Sequence, residues 1–158
     1  MKSKNYLSII LLFLVFACAE DGLFFPESES EGTFQVTIDA VLFSTDDVSF
    51  TSDGVDIFIN AVNSRTKESF TLKVDDFKVG DFSFEGANNI ASYIINTAEW
   101  TTFNSISSRG SIQFTEIDFV KNTVSGTFSF IGKNNDTGNA IAFSNGSFNK
   151  VPKSLLPF

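Results

Sequence analysis

The feature that most constrains this chain is the alternation of apolar and polar side chains, with a period of two, from Thr33 onward. Successive side chains of a β-strand point to opposite faces, so strict alternation indicates strands with one buried face. Residues 33–151 are therefore predicted to form an all-β domain, an antiparallel β-sandwich or barrel-like domain of about eight or nine strands. The apolar sets are Phe34, Val36 and Ile38; Val55, Ile57, Ile59 and Ala61; Phe70, Leu72 and Val74; Ile112 and Phe114; and Phe128 and Phe130.

Turn-forming residues separate these segments. Residues 63–67 are predicted to be a hairpin loop between two strong strands. Residues 52–54, 134–138 and 145–146 each contain a residue that tolerates positive φ, which favours turns there as well.

A short pattern recurs four times: a Gly, then a polar residue, then Phe, starting at Gly32, Gly80, Gly126 and Gly146. The uneven spacing argues against a repeat architecture. The pattern is instead predicted to mark the entry into a strand from a turn, with Phe as the first inward residue.

Residues 1–17 have the features of a signal peptide. Lys2 and Lys4 form a positive segment, an apolar run extends to Phe16, and Ala17 is the small residue expected at a cleavage site. The apolar run is about ten residues long, whereas a membrane-spanning helix needs about twenty. The segment therefore predicts export rather than a membrane-spanning anchor.

The single cysteine of the chain, Cys18, directly follows this segment. The sequence Val15-Phe16-Ala17-Cys18 resembles a bacterial lipobox, in which the thiol is diacylated and becomes the new N-terminus. The alternative is ordinary secretion with a free thiol. Because the only Cys falls where lipidation needs it, Cys18 is predicted to be a lipidation site that attaches the protein to a membrane.

Residues 18–32 are predicted to be the lipidated Cys and an acidic, flexible tether, since their alternating Glu and Ser cannot form a core. Acidic residues directly after the Cys resemble an export signal for lipoproteins of some Gram-negative lineages. The predicted location is the outer membrane, with the cell-surface side preferred over the periplasmic side. The apolar segment 23–25 docks on the domain or dips toward the membrane, and docking is preferred. Residues 152–158 are predicted to be a C-terminal tail.

From about Phe34 to Val151, the domain resembles a family of small Gram-negative bacterial lipoproteins of unassigned function. The resemblance rests on segments 37–39, 80–82, 91–93, 110–112, 124–130 and 145–148, of which the segment around Gly126 is the most specific. It implies an all-β fold and a place in the cell envelope, and it brings no catalytic residues. Ala40 stands where the family usually has Gly after the first-strand Asp, so the first turn is expected later, near residues 44–47.

Composition excludes several classes of function. After residue 17 the chain carries 9 basic and 19 acidic side chains. This balance disfavours nucleic acid, whose binding depends on cations that meet phosphates. The chain has no His, which excludes triads of Ser, His and Asp and leaves no ligand set for the usual zinc sites. No cofactor is expected apart from calcium.

Calcium is the preferred ion hypothesis because carboxylate oxygens are its usual ligands. Asp46, Asp47, Asp53 and Asp56 fall within eleven residues between two predicted strands. A second candidate, with Asn134, Asp136 and Gly138, is similar to the start of a calcium loop but lacks the later acidic ligand. In both places the competing interpretation is a plain solvated loop.

Trp100 and Tyr93 are candidate ligand-binding residues because aromatic rings stack on sugars, although the edge of a core is the competing interpretation. The preferred function is a non-enzymatic binding or interaction module, with an envelope protein or a glycan as its partner. The alternative is a structural or assembly lipoprotein of an outer-membrane complex. A small carboxylate-dependent hydrolase is the third hypothesis, since two acids across a cleft would suffice.

Overall fold

The computed structural model describes residues 32–103 and 109–154, and the predicted all-β class is confirmed there. No helix in these two ranges is long and apolar enough to cross a membrane. The predicted signal peptide, Cys18, residues 18–31 of the tether and residues 155–158 of the tail lie outside the described residues. The strands are β1 (Thr33–Ile38), β2 (Val41–Thr45), β3 (Val48–Ser52), β4 (Asp56–Asn63), β5 (Glu68–Asp75), β6 (Gly80–Ser83), β7 (Ile90–Ile95), β8 (Ala98–Thr101), β9 (Gly110–Asp118), β10 (Thr123–Lys133) and β11 (Ala140–Pro152).

The strands form one antiparallel sheet that curls into a nearly closed barrel. Nine strands follow the order β2-β1-β11-β10-β8-β7-β5-β4-β3, and β9 and β6 attach beside β10. The two ends of this path, β2 and β3, are joined by Asp46 and Asp47 alone. Two contacts bring the barrel close to closure. Oγ1 of Thr45 in β2 donates to the Val62 carbonyl in β4 at 2.7 Å, and the Ser154 amide, just beyond β11, donates to the Phe50 carbonyl in β3 at 2.7 Å.

Aromatic rings fill the barrel. Phe34 and Phe70 are almost fully buried, as the period of two predicts for inward positions, and Phe143 of β11 is equally buried. Phe130 and Phe143 stack with ring centroids 4.2 Å apart, and Phe70 and Tyr93 lie 4.7 Å apart. Interiors of small barrels are filled by side chains in this way, and rings supply much apolar area per residue.

The first turn lies at Asp39 and Ala40, so its predicted place near residues 44–47 is wrong. Asp39 has φ 44° and Ala40 has φ 71°. A two-residue hairpin of type I′ requires positive φ at both central residues. Ala40 accepts this conformation although it lacks the freedom of glycine, because the register of β1 with β2 fixes the turn.

The predicted turn at residues 145–146 is also wrong, because β11 continues through it. Asn145 has φ 52° inside the strand, and the register with β1 shifts between Gln35 and Thr37. This is a β-bulge, which uses the same residue types as a turn. The predicted turns at 52–54, 63–67 and 134–138 do lie between consecutive strands.

The Gly-polar-Phe pattern marks the entry into a strand at Gly32 and Gly80, but not at the other two places. Gly126 lies inside β10 and Gly146 inside β11. Both are buried beneath phenylalanine rings of the neighbouring strand. A side chain is absent there because the rings occupy its space.

Candidate functional site

The four carboxylates of the first calcium hypothesis are divided between two connections of the barrel. Asp46 and Asp47 are exposed between β2 and β3, whereas Asp53 lies in the turn after β3 and Asp56 begins β4. Since the five residues of β3 separate the two connections, the four carboxylates do not belong to one loop.

Two of these carboxylates already have partners. Oδ1 of Asp53 accepts hydrogen bonds from the amides of Val55 at 2.9 Å and Asp56 at 2.8 Å. These bonds lower the pKa of Asp53, because they stabilise its ionised form. Oδ2 of Asp56 lies 2.8 Å from Nζ of Lys73. Both carboxylates thus act within the turn and the sheet.

Among residues 32–103 and 109–154, no three acidic side chains lie together as a metal site would require. Calcium binding by Asp46, Asp47, Asp53 and Asp56 stays a prediction of the sequence, and the described geometry lends it no support. Thermal melting with millimolar calcium against a chelator checks it, because an ion that binds only the folded chain raises its stability.

Asn134, the first residue of the second calcium candidate, instead organises the turn between β10 and β11. It is buried, and its Oδ1 accepts from the amides of Asp136 and Thr137 at 3.1 and 2.8 Å. Its Nδ2 donates to the Glu99 carbonyl at 3.0 Å. The side chain therefore ties the turn to β8, and Gly138 with φ 75° completes the turn.

The candidate ligand-binding aromatics, Tyr93 and Trp100, form a cross-strand pair with ring centroids 5.8 Å apart. Tyr93 is only 4% exposed and belongs to the core. Its hydroxyl donates to Oε1 of Glu68 at 2.6 Å, and burial together with this carboxylate raises the pKa of Tyr93 well above its usual value. Tyr93 is thus not available as an exposed stacking surface.

Trp100 is half-buried and packs against the core. Its Nε1 is buried and meets no hydrogen-bond acceptor within the described residues. The pair thus has the geometry of a core edge, and ligand stacking on Trp100 stays a prediction.

A group of exposed apolar side chains at one end of the barrel was not predicted. We define this apolar end as Val55, Val79, Phe119 and Val120, which are 62, 56, 73 and 91% exposed. Val55 was predicted to face inward with Ile57, but it belongs to the turn before β4. The signal that could have found Phe119 and Val120 is the break in alternation after β9, where two apolar residues stand side by side.

Comparison with protein families assigns the β-domain to a family. The family model of the domain of unknown function DUF6252 covers residues 30–152, which is most of the chain and includes all eleven described strands. Searches of curated proteins and of solved structures return no match.

Proposed function

We propose that this chain, which belongs to the family of the domain of unknown function DUF6252, is a lipid-anchored cell-envelope protein. Its β-domain serves as a non-enzymatic binding or interaction module. The anchor is the acylated Cys18, and the preferred location is the surface side of an outer membrane. Two acyl chains suffice for stable attachment, since each buried CH₂ contributes about 0.8 kcal/mol.

The observation that carries the binding role is the aromatic filling of the barrel. The rings of Phe43 and Phe70 have centroids 4.9 Å apart, and those of Tyr93 and Phe143 lie 5.3 Å apart. Barrels that carry a small ligand inside keep space for it, whereas these rings occupy the interior themselves. This packing supports a function in which a partner meets the outer surface of the domain.

The anchor is tested by metabolic labelling with a fatty-acid analogue. The wild-type protein should be labelled, and Cys18→Ser should not. The matched control is Cys18→Ser combined with Ser30→Cys, which keeps one thiol in the tether but moves it twelve residues along the chain. Because lipidation depends on the position of the thiol, this control should stay unlabelled, and an unlabelled wild type would contradict the anchor.

The binding role is tested by purifying the acylated protein with its envelope neighbours. Surface display predicts that protease added to intact cells removes the β-domain. A glycan or protein partner should co-purify with the domain, and substitutions on the surface of the domain that it contacts should abolish this co-purification. If the protein retains no partner in larger amounts than an unrelated lipoprotein does, the binding role is contradicted.

The alternative, a structural role in an outer-membrane complex, is favoured by the exposed start of β2. Val41 and Leu42 are largely exposed on this strand, which ends the hydrogen-bonded path of the sheet. An exposed strand edge is a template for pairing with another chain. Leu42→Lys should abolish co-purification of a stable complex under this alternative and leave a partner bound elsewhere unaffected.

A further inference from the structure

Three connections of the barrel bring the apolar end together. Val55 lies in the turn between β3 and β4, Val79 precedes β6, and Phe119 and Val120 form the turn between β9 and β10. The Asp76 amide donates to the Val55 carbonyl at 3.0 Å, so the turn of Val55 lies beside the connection that carries Val79. Exposed apolar residues that occur singly need no explanation, but a group on neighbouring connections marks an interaction site.

A row of aromatic rings joins these connections. The ring of Phe77 lies 5.8 Å from that of Phe50 in β3 and 5.9 Å from that of Phe119. The Lys153 amide donates to the Asn122 carbonyl at 2.9 Å and so ties the same turn to the end of β11. The exposed ring of Phe119 is therefore supported from below by the partly buried ring of Phe77 and the buried ring of Phe50.

The N-terminal start of the domain lies at this same end. Thr33 pairs with Asn149 near the end of β11, and Pro152 pairs with Thr123, directly after the turn that carries Phe119. A Cβ on Gly32 would meet the Cα of Val151 at 2.7 Å. Gly32 thus adjoins the end of β11, beside the apolar end.

The segment between Cys18 and Gly32 is short. Cys18 stands only fourteen residues before Gly32. A flexible chain of that length reaches roughly 20 Å. An anchor at Cys18 would therefore keep the apolar end within a short distance of the lipid that holds the protein.

We infer that the apolar end rests on the bilayer that carries the anchor, with Phe119 and Val120 in contact with the lipid interface. The inference depends on the proposed acylation of Cys18. Transfer of aromatic and aliphatic side chains on a loop tip from water to the boundary of the acyl chains is favourable in free energy. Lys121 and Lys153 are exposed beside the tip, and the carboxylates of Asp53 and Asp76 are exposed in the neighbouring connections. Lysine stems cover apolar surface while their ammonium groups stay in the polar headgroup layer.

A zwitterionic lipid surface is the occupant that fits this chain. The net charge of the mature protein is strongly negative, which disfavours adsorption to anionic headgroups. Apolar contact requires no anionic lipid, and the tether supplies the high local concentration of lipid. A second copy of the chain would have to bring two like-charged molecules together, so it is an outcome for the test to exclude.

The test places one fluorescent probe at each end of the barrel. Val120→Cys carries an environment-sensitive label at the apolar end, and Asn135→Cys carries the same label in the exposed turn between β10 and β11 at the opposite end. Each acylated protein is reconstituted in phosphatidylcholine vesicles, with or without brominated acyl chains. We expect a loss of fluorescence with brominated lipid at position 120 and none at position 135.

Equal fluorescence at position 120 with both lipids would overturn the inference, as would equal quenching at the two positions. Dimers in detergent that Val120→Asp dissociates would assign the apolar end to a second copy instead. Fatty-acid labelling reports on the anchor separately. If Cys18 proves unacylated, the mature chain that combines Cys18→Ser with Val120→Cys is labelled and added to preformed vesicles. Quenching at position 120 then supports lipid contact, and its absence overturns it.

Discussion

The ring of Phe128 occupies the space that a side chain on Gly146 would need. A Cβ on Gly146 would lie 2.6 Å from Cζ of Phe128 and 2.7 Å from each of its two Cε atoms. The two residues face each other across β10 and β11. The relationship is reciprocal two residues away, because Gly126 pairs with Phe148 and a Cβ there would collide with the Phe148 ring. Rings that cover cross-strand glycines fix the register of a sheet.

Gly146→Ala should therefore destabilise the domain, by about 1–3 kcal/mol, because the added methyl group forces the Phe128 ring out of its position. Chemical denaturation of the mature chain measures the loss. Ser144→Ala, at an exposed position of the same strand, is the control and should change stability by less than about 0.5 kcal/mol. Equal effects of the two substitutions would show that the ring has room to move.

Phe128→Ala should cost about 3–5 kcal/mol, since the ring is buried. The double variant with Gly146→Ala should lose less stability than the sum of the single variants, because the new methyl group enters the space left by the ring. Additive losses in denaturation experiments would mean that the two positions do not share this space. A loss below about 1 kcal/mol for Phe128→Ala alone would contradict its place in the core.

The strands that alternate strictly were predictable from the sequence, because burial on one face leaves a period of two. Ile57, Phe70 and Phe128 were assigned to the core correctly for this reason. Asn145 was misassigned because a bulge and a turn select the same residue type, and only pairing with both neighbours of β11 distinguishes them. Within the apolar end, the break in alternation marks Phe119 and Val120 locally, but their grouping with Val55 and Val79 was not predictable, since it depends on loops that are distant in sequence.

Ala40→Gly should stabilise the domain by about 1 kcal/mol, because a residue with a Cβ is strained at the φ of 71° that Ala40 adopts. Thermal or chemical denaturation measures the gain. The control makes the same chemical change at Ala142, which lies in β11 without positive φ. There, Gly should cost about 0.5–1 kcal/mol through lost backbone entropy. A loss of stability in Ala40→Gly would contradict the type I′ geometry of the turn.

Acid should weaken the turn that precedes β4. Two backbone amide donors lower the pKa of Asp53 in the folded chain. The ionised carboxylate therefore stabilises the fold at pH values above the unfolded pKa of about 4, and this stabilisation is lost as the pH falls through the folded pKa. Asp53→Asn keeps an oxygen acceptor for the amides of Val55 and Asp56 but cannot titrate. Melting curves between pH 2 and 7 should therefore show a weaker acid dependence for Asp53→Asn than for the wild type. Asp53→Ala should be less stable than both at neutral pH, and identical acid profiles of wild type and Asp53→Asn would contradict the assignment.

At high pH, Tyr93 should be the sensitive group. Burial and the hydrogen bond to Glu68 raise its pKa, so the folded chain retains the phenolic proton at pH values where the unfolded chain loses it near pH 10. The unfolded state then binds fewer protons, and stability must fall as the pH rises above about 10.

Tyr93 is the only tyrosine after the predicted signal peptide, so phenolate absorbance of the mature chain reports on it alone. The native absorbance should rise well above pH 10 and the urea-unfolded absorbance near pH 10. Tyr93→Phe should lose less stability than the wild type as the pH rises above about 10, and the loss that remains is that of the lysines. Titration of Tyr93 near pH 10 in the native state would instead show that its hydroxyl is exposed to water.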